Sequence, residues 1–102
     1  MNDERLTDEL ATRVMGWKSG PDRFVKSGRS WIPKWRFSPL AELADAFQLL
    51  DRAADQYTLK QDGRAFTAEI RAGSGVGAAS GEHKARTITL AVARALRLEV
   101  EE

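Results

Sequence analysis

The chain has 102 residues, a mass of 11.3 kDa and a formal net charge of +1, which is the size of one compact domain. With 42% hydrophobic and 30% charged residues, it is too apolar for a disordered protein and too polar for a membrane protein. The absence of cysteine excludes disulfides and thiolate sites, and a single histidine excludes most metal-dependent and Ser–His catalytic schemes. We predict one domain over residues 1–102, with an ordered core over about 3–98.

The first predicted element is a helix over residues 3–15. Apolar residues recur there at helical spacing, and Asn2 or Asp3 is available as its N-terminal cap. Gly16 stands where a left-handed residue ends many helices, and Trp17 can fold back as the apolar contact of that motif.

Residues 18–37 are rich in glycine, serine, proline and basic residues and show no helical periodicity. The pairs Phe24-Val25 and Trp31-Ile32 are predicted as short strands or as parts of an ordered loop. Pro33 limits any strand at that position to a sheet edge.

Ser38-Pro39 predicts the start of a second helix, because serine caps a helix and proline suits its first position. We predict that this helix continues to about residue 54. Its predicted apolar face consists of Leu40, Leu43, Ala44, Phe47, Leu50 and Ala54.

The C-terminal half is predicted as a hairpin, a loop and a helix. Residues 57–60 and 65–70 flank an Asp62-Gly63 turn signal, and alternation places Phe66, Ala68 and Ile70 on the buried face. Residues 72–81 are predicted as a glycine-rich loop. The last helix is predicted over about 82–97, and an acidic tail follows over 99–102.

This order of helix, extended pieces, helix, hairpin and helix predicts an α+β fold. Two strands alone are only marginally stable, so helices must cover them and the region 24–32 is expected to add a further strand. The predicted architecture is an α-β-α layered sandwich with a small antiparallel sheet.

The net charge of +1 hides a segregated pattern. Between residues 13 and 36, seven basic residues stand against the single acid Asp22, and residues 17–37 hold five of the eight aromatic residues. Cations can bind phosphates and rings can stack on bases, so we predict a ligand-binding surface here. The alternative is that the rings form the core and the cations only solvate the outside. The predicted contact residues are Arg29, Trp31, Lys34, Trp35 and Arg36.

A second candidate site is the glycine-rich segment before the last helix. Gly75 and Gly77 allow close backbone approach, and free amides at a helix start can hold an anion. His83, Lys84 and Arg86 would add positive charge. The segment matches neither the dinucleotide fingerprint nor the Walker loop, and a flexible connection is the alternative.

Catalytic chemistry has little support in the sequence. His83 is the only histidine, and no orienting acid stands at a useful spacing from it. Asp51 and Asp55 share a helix face, but no third metal ligand is near them. We therefore predict no catalytic residues, no metal and no cofactor.

Three stretches together resemble a known family. They are the helix end Arg13-Val14-Met15-Gly16-Trp17, the segments 31–33 and 37–47, and the alanine-rich closing helix 85–96. Over about residues 3–98 the chain resembles the phage ABA sandwich domain family, departing from it with Phe47 where tryptophan is frequent and Thr89 where cysteine is common. The resemblance implies an α-β-α layered fold and a phage or prophage origin, and it implies no catalytic residues.

The predicted function is a non-enzymatic phage or prophage accessory protein that binds a ligand. In its most specific form, the predicted function is to sequester a nucleotide-type signal of host immunity. A homo-oligomer with binding sites between subunits would suit this function. The alternatives are an RNA- or DNA-binding module and an adaptor that blocks a host protein through an exposed apolar patch. No apolar run is long enough to span a membrane and the charged start does not resemble a signal peptide, so the predicted location is the host bacterial cytoplasm.

Overall fold

The computed structural model describes residues 2–98, which contain three α-helices and six strands. The strands form two separate three-stranded antiparallel sheets. The predicted α+β class, built in layers, is confirmed. The expectation that region 24–32 adds a strand to the sheet of the C-terminal hairpin is wrong, because this region pairs within a sheet of its own and β6 is the third strand of the hairpin sheet. The predicted acidic tail over 99–102 lies outside the described residues. In chain order the elements are α1 (Asp3–Arg13), β1 (Lys18–Ser19), β2 (Arg23–Ser27), β3 (Ser30–Pro33), a 3-10 helix (Lys34–Arg36), α2 (Leu43–Ala53), β4 (Gln56–Asp62), β5 (Ala65–Ala72), β6 (Gly75–Gly81) and α3 (Lys84–Ala95).

Helix α1 begins and ends on the local signals that the sequence carries. The Asn2 side chain accepts a hydrogen bond from the Arg5 N–H at 2.8 Å, which confirms the predicted cap. Beyond the helix, Gly16 adopts the left-handed region with φ +73°. The Trp17 N–H then donates to the Ala11 carbonyl at 3.1 Å, so the chain folds back and buries the indole.

The first sheet has the strand order β1-β2-β3. Pro33 ends the edge strand β3, as its missing N–H requires. Alternation along the strands sends the Phe24 side chain inward, where it meets Trp17 and Phe37. The centroids of these three rings lie 5.0 to 6.0 Å apart, and the three side chains form the aromatic part of the core.

The prediction that the second helix starts at Ser38-Pro39 is wrong, because α2 starts at Leu43. The Ser38 carbonyl accepts the N–H groups of Ala41 and Glu42 at 3.0 and 2.7 Å and closes a separate turn. Glu42 is extended, with φ −106° and ψ 120°, so the turn does not continue into the helix. Ser38 instead donates its backbone N–H to the Asp45 carboxylate at 2.9 Å.

The later start goes with a different buried face on α2. Ala46, Leu49 and Leu50 are its buried residues, a stripe at helical spacing. The prediction that Leu43 and Ala44 belong to the apolar face is wrong, since both are exposed. Of the remaining predicted members, Leu40 and Leu50 are buried, and Phe47 and Ala54 are half-buried.

The second sheet has the strand order β4-β5-β6 and begins with the predicted hairpin. Asp62 pairs with Ala65 across a two-residue turn in which Gly63 has φ +62°. As predicted, Phe66, Ala68 and Ile70 are buried. The opposite face of β5 is polar and largely exposed.

The predicted loop over residues 72–81 is wrong, because most of this segment is strand β6, paired with β5 along its whole length. A tight turn at Gly73 (φ +59°) separates the two strands. The inward positions of β6 carry only glycine and alanine, because α3 lies directly against them. The small side chains therefore serve close packing of a helix on a sheet.

Helix α3 lies between the second sheet and α2 and contacts β5, β6 and α2. Nine of its twelve residues are buried. The buried Thr89 hydroxyl donates to the Pro39 carbonyl at 2.7 Å, which joins α3 to the turn before α2. A satisfied polar contact of this kind fixes the position of the turn that follows the first sheet.

Candidate functional site

The aromatic residues between positions 17 and 37 divide between the core and the surface. Trp17, Phe24 and Phe37 are buried, whereas the side chains of Trp31 and Trp35 are 49% and 73% exposed. The core interpretation therefore holds for the three buried rings, and the predicted ligand surface is limited to the two exposed tryptophans. We use the name basic–aromatic face for the two exposed tryptophans and their neighbouring arginines, namely Arg23, Arg29, Trp31, Trp35 and Arg36.

Strand pairing explains why Trp31 points outward. It stands directly opposite Val25 on β2, on the face of the sheet away from the aromatic core. The Arg23 guanidinium carbon lies 4.2 Å from the Trp31 ring centroid, which is cation–π contact distance. On the 3-10 helix, the Arg36 guanidinium carbon lies 5.4 Å from the Trp35 ring centroid. Each exposed indole thus has a cation beside it.

Arg23 also has an acidic partner on the surface. Its Nε donates to Asp22 Oδ1 at 3.0 Å, and its second contact to Oδ2 is 3.3 Å long. The hydrogen bond from Arg23 lowers the pKa of the Asp22 carboxyl and raises the pKa of Arg23. Asp22 therefore stays ionised at neutral pH and competes with any anion for this guanidinium.

Arg29 lies at the tip of the β2–β3 hairpin. The tip is a two-residue turn in which Gly28 has φ +54°, and the Arg29 side chain is exposed. No hydrogen bond or ion pair of Arg29 is found among residues 2–98. Its charge is therefore available to a ligand at one end of the basic–aromatic face.

Lys34 does not belong to the open part of this face. Its Nζ contacts both carboxylate oxygens of Asp8 at 3.0 Å, and both side chains are half-buried. The same ammonium lies 5.3 Å from the Phe24 ring centroid. Lys34, which was predicted to contact a ligand, instead forms an ion pair that joins the 3-10 helix to α1.

The second predicted site does not form as an anion-binding loop. Gly75 and Gly77 are buried in β6, where a Cβ on either would collide with α3 backbone, the carbonyl oxygens of Ala95 and Ala91 respectively. No space for a phosphate remains between this strand and the helix. The two glycines are packing residues, so the prediction of an anion-binding loop and its alternative of a flexible connection are both wrong for Gly75 and Gly77.

His83 and Arg86 at the start of α3 make hydrogen bonds within the protein, and Lys84 is exposed beside a ring. His83 Nδ1 accepts the Arg86 N–H at 3.2 Å, so this histidine caps the helix. Arg86 binds both carboxylate oxygens of Asp3 at 2.9 and 3.2 Å, and this contact raises the pKa of Arg86. The Lys84 ammonium lies 5.9 Å from the Phe66 ring centroid. These residues join α1 and the second sheet to α3 and do not converge on the basic–aromatic face.

A cleft of about 390 Å³ opens between α1 and the segment 34–41. Its walls include Phe24, Phe37 and Leu40 as well as the Trp35 side chain. Its rim carries three carboxylates and Lys34, and two of the carboxylates are paired, that of Asp8 with Lys34 and that of Asp3 with Arg86. This charge disfavours a phosphorylated ligand inside the cleft, although the volume lies within the range of small-molecule sites. The carboxylates belong to Asp3, Glu4 and Asp8.

The structure also bears on metal binding and on membrane insertion. Between residues 2 and 98, no three histidine or acidic side chains lie close enough together to hold a metal ion. None of the helices in the same range has the length and hydrophobicity that a bilayer-spanning helix requires.

Of the ten predicted site residues, the structure leaves four exposed in the segment 29–36, gives five others internal contacts, and leaves Lys84 exposed on α3. The four are Arg29, Trp31, Trp35 and Arg36. Sequence reasoning missed Arg23, which stacks on Trp31. The sequence contained a signal for this contact. If Trp31 pairs with Val25, alternation along the strand places Arg23 on the same face of the sheet as Trp31.

Comparison with known proteins identifies a related fold. No protein-family model and no curated protein matches the chain. A crystal structure of a phage protein from Bacillus cereus ATCC 14579 is similar to it, with a TM-score of 0.74 over 99% of this chain and 93% of that chain. The two proteins share a fold. At 14% sequence identity the similarity extends to the fold alone, and the resemblance to the phage ABA sandwich family stays a prediction.

Proposed function

We propose that this chain is a non-enzymatic phage or prophage accessory module that binds single-stranded nucleic acid on its basic–aromatic face. The origin is supported by the fold shared with a phage protein. The ligand class is supported by one observation above all, the exposure of Trp31 and Trp35 with a guanidinium beside each ring. Exposed rings provide stacking platforms for bases, and arginines bind the phosphates between them.

The position of the two tryptophans favours an extended ligand over an enclosed one. Trp31 lies on a sheet surface and Trp35 on the following 3-10 helix, and both rings are open to solvent. The nearby cleft has an acidic rim, which is unsuited to the phosphates of a nucleotide. An extended strand can reach each of the two rings from the solvent side.

A free nucleotide offers the same two groups, a base and a phosphate. The second form of this proposal is therefore that the protein sequesters a nucleotide immune signal inside the host cell. It requires that one base and one phosphate suffice for binding. In the single-stranded form, affinity increases with the number of nucleotides and decreases steeply with salt. Titrations with oligonucleotides of increasing length and with mononucleotides and cyclic nucleotides separate the two forms.

The test is fluorescence anisotropy with labelled single-stranded DNA and RNA at low and high salt, alongside calorimetry with nucleotides. We expect Trp31→Ala and Trp35→Ala each to weaken binding by about 10-fold, the order of magnitude of one lost base–aromatic stack. Arg36→Ala is expected to lower the slope of log K against log salt by about 1. The matched control is Arg64→Ala, which removes an exposed arginine from the β4–β5 turn.

A protein partner is the competing outcome, because exposed tryptophan and arginine also dominate protein interfaces. It would be indicated by a folded wild-type protein that binds neither oligonucleotides nor nucleotides at low salt. That result would remove the proposed ligand class and leave the basic–aromatic face as the adaptor surface.

A further inference from the structure

We propose that the second sheet is the dimerisation element of this protein, and that two copies pair their β4 strands antiparallel to form one continuous six-stranded sheet. The partner is a second copy of the same chain. This inference concerns the face of the molecule built by residues 56–81 and does not depend on the proposed function.

The four sheet edges differ in how they are protected against pairing. In the first sheet, β1 has only two residues and β3 ends in Pro33, so neither edge offers a long ladder. In the second sheet, the outward carbonyl of Ala78 on β6 already accepts a hydrogen bond from Arg94 at 2.8 Å. Strand β4 is seven residues long, and six of its residues are exposed. It is the least protected of the four edges.

The register of the hairpin identifies the free backbone groups on β4. Asp62 and Ala65 close the two-residue turn, so Asp62 is bonded to β5, as are the residues at every second position before it. The N–H and C=O groups of Tyr57, Leu59 and Gln61 therefore point away from the sheet. Among residues 2–98 these six groups have no hydrogen-bond partner.

A two-fold axis at Leu59 satisfies all six groups of each strand at once. Leu59 then pairs with Leu59 of the second copy, and Tyr57 pairs with Gln61 at both ends of the ladder. The side chains of these three residues lie on the face of the sheet that α3 covers, because each stands opposite a buried residue of β5. The half-exposed Tyr57 and the partly buried Leu59 would be covered at the seam.

The charges of β4 are compatible with this register. On the opposite face of the strand, Lys60 stands opposite Thr58 of the second copy, and Asp62 stands opposite Gln56. Like charges directly opposite each other disfavour strand pairing, and this register contains no such pair. Moving the axis by one residue to Lys60 would place two ammonium groups opposite each other, so the axis at Leu59 is the favoured one.

The experiment compares two double variants by sedimentation equilibrium, with the wild type measured from about 1 to 500 µM because dimerisation depends on concentration. Tyr57→Lys with Gln61→Lys places two like-charged pairs across the seam. Tyr57→Lys with Gln61→Glu replaces the same two exposed residues but creates two opposite-charged pairs. Circular dichroism checks that both variants keep the wild-type fold.

The wild type is expected to be a dimer at the upper end of this range. The Lys/Lys variant is expected to raise the dimer dissociation constant by about 10-fold, and the Lys/Glu variant to stay within about 3-fold of the wild type. A wild type that remains monomeric at every concentration overturns the proposal. A dimer that responds equally to both variants overturns it as well, because another surface would then form the interface.

Discussion

The two three-stranded sheets of this protein share an antiparallel pattern and differ in the size of the side chains they carry. The first sheet is short and has large rings on both faces, with Phe24 inward and Trp31 outward. The second sheet is longer, and the strand under α3 has only glycine and alanine on its inner face. The first sheet thus exposes a large side chain to solvent, whereas the second sheet allows close packing of a helix.

The core of the first sheet does not account for the two exposed tryptophans. The core beneath the first sheet is already filled by Trp17, Phe24 and Phe37, so Trp31 and Trp35 are not needed for it. A small domain that leaves two of its three tryptophans on the surface loses the burial energy of both. Such exposed large rings mark interaction surfaces.

The largest expected effect is the difference in stability between a variant of the buried Trp17 and a variant of the exposed Trp35. Trp17→Ala is expected to lower the free energy of unfolding by about 3–5 kcal/mol, because it empties a buried aromatic site. Trp35→Ala is expected to change it by less than about 0.5 kcal/mol, as at other exposed positions. Urea denaturation measures both values, and equal losses would contradict the division between core and surface.

The next effect tests the close packing of the second sheet. Gly77→Ala is expected to cost about 2–3 kcal/mol, because the new Cβ meets α3 backbone that cannot move aside. The control is Ala78→Val at the next position, whose side chain is exposed, with an expected change below about 0.5 kcal/mol. Thermal denaturation of both variants makes the comparison. A Gly77→Ala variant as stable as the wild type would argue against helix contact at this position.

A smaller effect is expected where the two regions are joined. Thr89→Val removes the hydroxyl that donates to the Pro39 carbonyl and leaves a buried acceptor unpaired, at a cost of about 1–2 kcal/mol. Thr87→Val removes a hydrogen bond made within α3, to the carbonyl of the exposed His83, which water can replace. We expect the Thr87 variant to lose less stability in urea denaturation. The opposite ranking would show that the join between α3 and the turn is unimportant.

The smallest effect concerns ligand affinity on the first sheet. The Asp22 carboxylate is ionised at neutral pH, and because the hydrogen bond from Arg23 lowers its pKa, it keeps its charge to a lower pH than an unpaired aspartate does. Asp22→Asn frees Arg23 for a phosphate at pH 7, so oligonucleotide affinity is expected to rise about 3-fold. Asp51→Asn on α2 changes the net charge equally and serves as the control. An equal rise in both variants would assign the effect to net charge alone.

Local signals predict the parts of the fold whose geometry is set by neighbouring residues. The cap at Asn2, the left-handed Gly16 and the turn at Asp62-Gly63 are all of this kind, and the structure confirms them. The start of α2 was mispredicted, because Ser38-Pro39 favours a turn as well as a helix and the Glu42 backbone stays extended.

The remaining differences arise from contacts between distant parts of the chain. Gly75 and Gly77 resemble a flexible loop in sequence, and only the approach of α3 shows that they are packing residues. Lys34 and Arg86 are predicted as ligand contacts from their charge, but Asp8 and Asp3 on α1 bind them. The division of the tryptophans follows from strand pairing, and residue type alone does not determine it.

The most direct test of the proposed surface uses the intrinsic fluorescence of the tryptophans during titration with single-stranded DNA. In the wild type, stacking of bases on Trp31 and Trp35 is expected to quench the emission in a saturable manner that weakens with salt. In the variant with Trp31→Phe and Trp35→Phe, the remaining emission comes from the buried Trp17 and is expected to stay unchanged. No quenching in the wild type, or equal quenching in both proteins, would contradict the assignment of the basic–aromatic face as the binding surface.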